Sequence, residues 1–277
     1  MDALHTIDDE KVVHFDAHAL YGLKMAQATK KAVDQIYSSK RSWLVSRSNF
    51  IGMGQYGGHW SGDNYATWEQ HSSSLNALLD MNMFGIPYTG ADLCGFLDDT
   101  TEELCTSWTV LGIVYPFMRN HNAWGMRNQD PASFSEQHQR IVKNALKLRY
   151  SLLPELHNAF YISHTKGGTV VKSVMEVHPG AKMTQRNTLQ VYWGDSVAFA
   201  PQEHRTINGT WTSVFEVPPG ESYFNIQSGV FHEGCPETPV GHTIFRDIDD
   251  ETTLIDTFMR VNKPIFSFWI NFWTILN

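Results

Sequence analysis

No apolar run in the chain reaches the ~20 residues that a membrane-spanning helix needs; the longest, Pro264 to Leu276, falls well short. Basic residues are in deficit, with 21 Lys and Arg against 29 Asp and Glu for a formal charge of −8, and they form no run. Clustered cations are what a phosphate backbone attracts, so nucleic acid is not expected as a partner. The first residues lack the charged, apolar and small-residue zones of a secretory leader, so a targeting signal is expected to be absent or to lie upstream. There is no internal repeat and no low-complexity tract. Thirteen histidines raise the idea of a metal hydrolase, yet no HExxH and no His/Asp cluster at ligand spacing accompanies them, and no metal or cofactor is expected. Cysteine is scarce, with three in 277 residues. Cys94 and Cys105 flank a polar loop that a local disulfide closes in an oxidising compartment; two buried free thiols are the equal alternative.

What is abundant is apolar and aromatic: 42% hydrophobic and 13% aromatic residues over 277 positions suffice for a sizeable core. Aromatic faces also stack on sugar rings, although most of them are expected to pack the core.

Apolar positions three and four apart over 16–37 predict an amphipathic helix. Trp43 to Arg47 reads as a buried strand delivering Arg47 to its C-terminal end, followed by the glycine-rich loop GMGQYGGHWSGDN. A helix is expected to open at Asn64, and Gly85 to Asp92 is a second short strand. Thr100-Thr-Glu-Glu103 and Ser133-Phe-Ser-Glu136 resemble capping boxes before two more helices, the second reaching His164. Strands alternating with helices predict a parallel β/α architecture. Past Gly167-Gly168 the texture changes to β-branched and aromatic runs, TVVKSVMEV, TLQVYWGDSVAFA and TWTSVFEVP, separated by turn residues. The expected organisation is a β/α part over 1–167, a small all-β, sandwich-like domain over 168–245, and a tail, 246–277, that fits neither pattern.

Three separated stretches in order, Ser46 to Gln70, Phe84 to Phe96 and Tyr115 to Asn122, resemble the family 31 glycoside hydrolases. The resemblance runs from FDAHALYG at Phe15 through LRYSLLPELH, covering about residues 10–180. It implies a (β/α)₈ barrel of which this chain holds the C-terminal part, because the β/α pattern here is too short for the ~250 residues of a closed barrel. An incomplete barrel leaves strand edges open, and poor solubility or partial order is expected of it alone.

Residue by residue, the resemblance implies that Asp63 is the general acid/base of a retaining α-glucosidase, with a carbohydrate as the partner. By itself Asp63 also reads as a helix N-cap. Arg47 and Asp92 match residues that bind sugar hydroxyls, at predicted strand ends where barrels place chemistry; a structural ion pair is the alternative. His121 matches a sugar-contacting histidine, and Trp60 and Phe96 match aromatic walls of the glucose pocket. The family nucleophile lies in a strand reading roughly Trp-x-Asp-Met-Asn-Glu, expected before Phe15, and nothing from Met1 onward supplies it. Asp80, in LLDMNM, imitates that motif but ends an amphipathic helix and receives no role. Lys172 stands where the family usually has arginine.

The resemblance also implies a Cys94–Cys105 disulfide. Together with the sequon Asn208-Gly-Thr210 it points to the secretory pathway. The alternative to an enzyme is a sugar-binding remnant that keeps Arg47, Asp92, His121 and the aromatics without forming the covalent intermediate.

Overall fold

The computed structural model describes residues 2–7, 9–38, 40–180, 189–205, 211–234, 242–248, 255–261 and 263. The sequon at Asn208 and the apolar run from Pro264 lie outside the described residues.

A hairpin, β1 (Leu4–Ile7) and β2 (Glu10–Val13), opens the chain. The helix expected over 16–37 follows as a short turn, α1 (His14–Ala17), a 3₁₀ step at His18–Leu20, and α2 (Tyr21–Ile36). Ala26 of α2 joins Met53 and Ile86 in a small apolar cluster.

The β/α layer is built from β3 (Val45–Ser46), β4 (Gly58–Trp60), α3 (Trp68–Met83), β5 (Thr89–Gly90), β6 (Asp92–Leu93), α4 (Glu102–Gly112) and β7 (Arg119–Asn120). Every pairing among these strands is parallel: β3 with β4, β4 with β5, and β6 with β7. Only Ala91 separates β5 from β6. The strand read as one piece over 85–92 is therefore a late, broken one, whose first half pairs backward to β4 and whose second half pairs forward to β7. The crossovers through α3 and α4 are what parallel neighbours require. Among the described residues β3 pairs only with β4 and β7 only with β6, and the layer leaves Trp43 65% and Ile51 72% exposed.

Three local expectations need correction. Gly58 to Trp60 is a strand, not part of a glycine-rich loop: a Cβ on Gly58 would strike Tyr88, so glycine there allows close strand approach rather than marking a turn. α3 begins at Trp68 instead of Asn64, capped by Thr67, whose hydroxyl accepts from the Gln70 amide at 3.2 Å. The run TVVKSVMEV is only half strand. β8 (Val171–Ser173) passes directly into a helical turn, α6 (Val174–Val177), because Ser173 and Glu176 form a capping box. Of the two boxes read from sequence, the caps are Thr101 for α4 and Ser135 for α5 (Glu136–Lys166), a helix that runs through Pro154.

The rest of the described chain is antiparallel. β9 (Val191–Trp193), β10 (Val197–Ala200), β11 (Gln202–Arg205), β12 (Trp211–Val217), β13 (Ser222–Asn225), β14 (Phe231–Glu233), β15 (His242–Ile248) and β16 (Asp256–Arg260) form two sheets. Their orders are β14-β13-β16-β10-β9-β8 and β11-β12-β15. Part of the tail left unread, 246–277, is thus sheet: β15 ends at Ile248, and β16 lies between β10 and β13.

Side chains alternate across β9 and β10 with period two. Val191, Trp193, Val197 and Phe199 join the main core with Leu75 and Leu78 of α3, Trp108 and Leu111 of α4, and Leu152 and Leu156 of α5. Tyr192, Ala198 and Ala200 point the other way, into a second cluster with Phe215 of β12, Tyr223 of β13 and Phe258 of β16. The six-stranded sheet is therefore buried on both faces at its centre. Asn82 near the end of α3 ties the layers together: its Oδ1 accepts from the Val170 and Val171 amides at 3.1 and 3.0 Å.

Candidate active site

Four of the five parallel strands, β3, β4, β6 and β7, carry the residues singled out from sequence at or just beyond their ends. Arg47 follows β3, Trp60 ends β4 with Asp63 three residues on, Asp92 opens β6, and His121 follows β7.

Asp92 is the buried centre, with no exposed surface. Trp60 Nε1 donates to its Oδ2 at 2.9 Å, while Arg119 donates to Oδ1 through Nε at 3.0 Å and Nη2 at 2.5 Å. Burial pushes the Asp92 carboxyl above its ordinary range; the Arg119 and Trp60 bonds and the nearby charge of His121 act the other way. Two guanidiniums approach the Trp60 ring, with Arg119 Cζ 5.1 Å and Arg47 Cζ 5.8 Å from its centroid.

Asp63 is of the opposite kind, with a side chain 36% exposed and Arg47 Nη1 4.0 Å from Oδ2 as its ion-pair neighbour. It is not a helix N-cap, because Thr67 fills that place. Gly62 before it takes φ +89°, and a Cβ there would come within 2.8 Å of Arg47 Nε, so glycine is needed both for the turn and for the arginine's path. Phe96 and His121 form a tilted ring pair with centroids 5.1 Å apart. The Cys94–Cys105 disulfide ties the loop after β6 to α4, and both sulfurs are buried. Asp80 is exposed on α3, outside the cluster.

Three participants escaped the sequence reading. Arg119 lies within the quoted stretch YPFMRNHN, but only the register of β6 with β7, which sets Asp92 opposite Arg119, reveals its partner. Asn64 was taken for a helix start, yet its Nδ2 donates to the Asp92 carbonyl at 2.9 Å and its Oδ1 accepts from the Phe96 amide at 3.0 Å. His59 is buried beneath the strand ends, its Nδ1 2.8 Å from Asn49 Nδ2 and 3.2 Å from the Ser46 carbonyl, and burial holds it below the usual histidine range. Among the described residues no three His, Cys, Asp or Glu side chains converge as a metal site, and no helix is long and apolar enough to cross a membrane.

The model of the glycosyl hydrolases family 31 TIM-barrel domain matches residues 2–159. Intestinal sucrase-isomaltase of Oryctolagus cuniculus is 44% identical over 190 residues, which is 68% of this chain and 10% of that protein. Lysosomal alpha-glucosidase of Bos taurus is 41% identical over 213 residues, 74% of this chain and 23% of that protein. The crystal structure of glucosidase II alpha subunit in its Tris-bound form superposes with a TM-score of 0.77 at 29% identity, covering 90% of this chain and 26% of its own. The chain thus spans 10% to 26% of the length of these relatives. With more than half of its residues inside the family model and the strand-end cluster in place, the chain belongs to glycosyl hydrolase family 31.

Proposed function

We propose that this chain carries the acid/base half of a retaining α-glucosidase that removes terminal, non-reducing α-linked glucose. The observation that carries the reading is the division of labour between two carboxylates. Both oxygens of Asp92 are already engaged, by Trp60 and Arg119, whereas Asp63 is half-exposed on a loop above the strand ends. A fixed, buried carboxylate suits recognition; an accessible one can give and take a proton.

In this reading Asp63 protonates the departing glycosidic oxygen. A second carboxylate, set ~5 Å from the first as retaining chemistry requires, attacks the anomeric carbon and forms the glycosyl-enzyme bond. Asp63 then removes a proton from the water that breaks that bond. Asp92 cannot be the attacking group, since its charge is committed to Arg119 at hydrogen-bond distance; the attacker belongs to a strand of the Trp-x-Asp-Met-Asn-Glu type that residues 1–277 do not contain. With no exposed surface and both oxygens engaged, Asp92 serves the sugar site through the Trp60 and Arg119 side chains that it orients. Arg47 supplies donors to sugar hydroxyls, and Trp60, Phe96 and His121 wall the ring. The antiparallel sheets after Gly168 form, in this reading, the small β domain that buttresses the barrel. The names of the intestinal and lysosomal relatives support passage through the secretory pathway, in keeping with the Cys94–Cys105 disulfide.

The test is Asp63→Ala in the longest protein that contains this chain. Hydrolysis of maltose should fall by ~10³-fold or more, while an activated aryl α-glucoside keeps its first step and azide restores turnover by capturing the intermediate. Similar mild losses on both substrates, without azide rescue, would remove Asp63 from the role. An unsubstituted protein that binds glucose but turns over neither substrate would instead be a sugar-binding remnant.

A further inference from the structure

The loop that bears Asp63 is fastened to β6 and the Phe96 loop beyond it along a seam centred on one residue. Asn64 is 8% exposed and directly follows Asp63. Its carboxamide spans the gap, donating to the Asp92 carbonyl at 2.9 Å and accepting from the Phe96 amide at 3.0 Å. Its own carbonyl accepts from the Phe96 and Leu97 amides at 2.9 and 2.8 Å. The neighbouring contacts continue the seam: Ala66 N donates to the Leu97 carbonyl at 2.9 Å, Tyr65 and Leu97 form a parallel bridge, and a Cβ on Gly95 would strike Ala66. One residue further along, the Phe96 carbonyl accepts from the Ala123 amide at 2.8 Å, which brings in the loop of His121.

From this geometry we infer that Asn64 is a positioning residue, fixing where the Asp63 carboxyl stands relative to Asp92 and the Phe96–His121 wall. Asp63 itself has one neighbour of opposite charge, Arg47, at the 4.0 Å limit, so its place is set by the backbone on either side of it. On one side is Gly62, free in φ. On the other is Asn64, held by a carboxamide that donates from one atom and accepts at another without charge. An aspartate has the shape but, ionised, lacks the donor for the Asp92 carbonyl; an alanine lacks both functions. The catalytic part of this inference rests on the reading of Asp63 as acid/base, whereas the fastening of the loops does not.

The experiment therefore has two parts. In the 277-residue chain, backbone amide exchange at Phe96, which donates to the carboxamide, should quicken about tenfold in Asn64→Ala, with the amides of α4 unchanged, since losing the two side-chain hydrogen bonds loosens only what they held. A Phe96 rate equal to that of the unsubstituted chain overturns the fastening. Should Asn64→Ala fail to fold, Asn64→Asp serves: protonated at low pH it regains the donor to the Asp92 carbonyl, so exchange at Phe96 should match the unsubstituted chain in acid and outpace it at neutral pH. Asp92, Arg119 and His121 face the same loops, which makes the unsubstituted chain over the same pH range the control, and a pH profile identical to that control overturns the proposal. In an active protein that contains the chain, Asn64→Ala should lower kcat on maltose roughly tenfold or more while changing KM little, and should cost less than about threefold on an activated aryl α-glucoside that needs no acid. Equal losses on the two substrates overturn the link to Asp63. No turnover by the unsubstituted protein defeats the enzymatic reading alone and leaves the exchange measurement to decide the fastening.

Discussion

Asp92 and Arg119 stand opposite each other as register partners on adjacent parallel strands, and the guanidinium meets one carboxylate oxygen through two of its nitrogens. Strand pairing and ion pairing are therefore one event. A slip of one residue in β7 would turn Arg119 to the other face of the sheet and leave a fully buried carboxylate without its cation.

Breaking that pair should cost more than its attraction is worth. Arg119→Met leaves Asp92 buried and uncompensated, and because the arginine side chain is itself 36% exposed the expected loss is at the lower end for such pairs, ~2–3 kcal/mol. The urea midpoint of the chain reads it directly. Arg119→Lys should recover only part of the loss, since an ammonium cannot repeat the two-pronged contact.

Removing the disulfide should destabilise the whole fold through the unfolded state. The bridge closes a loop with a sequence separation of 11. Restoring the freedom of a loop of that length to the unfolded chain corresponds to ~3 kcal/mol, so Cys94→Ala/Cys105→Ala should melt ~10 °C lower, as differential scanning calorimetry would record.

Acid should weaken the β region by way of His178. Its Nε2 lies 2.8 Å from the Tyr223 hydroxyl, and burial, aided by the charge of Arg260, pushes it down to about 4. A base whose pKa is depressed by folding is taken up neutral by the native state. Its contribution is complete above the unfolded value of ~6.5 and is lost progressively as pH falls toward 4. Glu221, which burial would raise but which its bonds to Arg260 hold low, adds a loss of the same sign further into acid. Unfolding midpoints measured from pH 7 to 4 should fall, and His178→Gln should flatten the upper part of that slope.

Asp80→Asn is the control for the false motif. The residue is exposed on α3, so both the urea midpoint and any turnover should stay within ~0.5 kcal/mol of the parent. An inactive variant would show that the wrong aspartate had been set aside.

The strand before Arg47 was legible because a short apolar run closing on a charged residue is a local signal, and so were the starts of α4 and α5, although the caps are Thr101 and Ser135, one and two residues beyond the Thr100 and Ser133 that the boxes suggest; Asp92 opens β6 instead of closing a strand over 85–92. Hidden were the features that depend on partners far along the chain. β4 is three residues of glycine, histidine and tryptophan whose strand character comes from its neighbours' approach, and β7 is two residues long, too short for any periodicity. Arg119 became visible only through the pairing of β7 with β6, and Asn64 only through contacts 28 and 32 positions away. β16 went unread in the 246–277 tail because five residues, DTFMR, mix apolar and polar without clean alternation; its place is set by β10 and β13 on either side.

The grip of Asn82 on Val170 and Val171, together with Trp193 packed among residues of α4 and α5, means that the glycine pair at 167–168 is a bend and not a seam. Grafting the antiparallel sheets of one relative onto the helices of another at that point would cut through a single jigsaw of side chains. A graft that works must carry with it the facing surfaces of α3, α4 and α5, so the unit that evolution or an engineer can exchange is larger than the sheet itself.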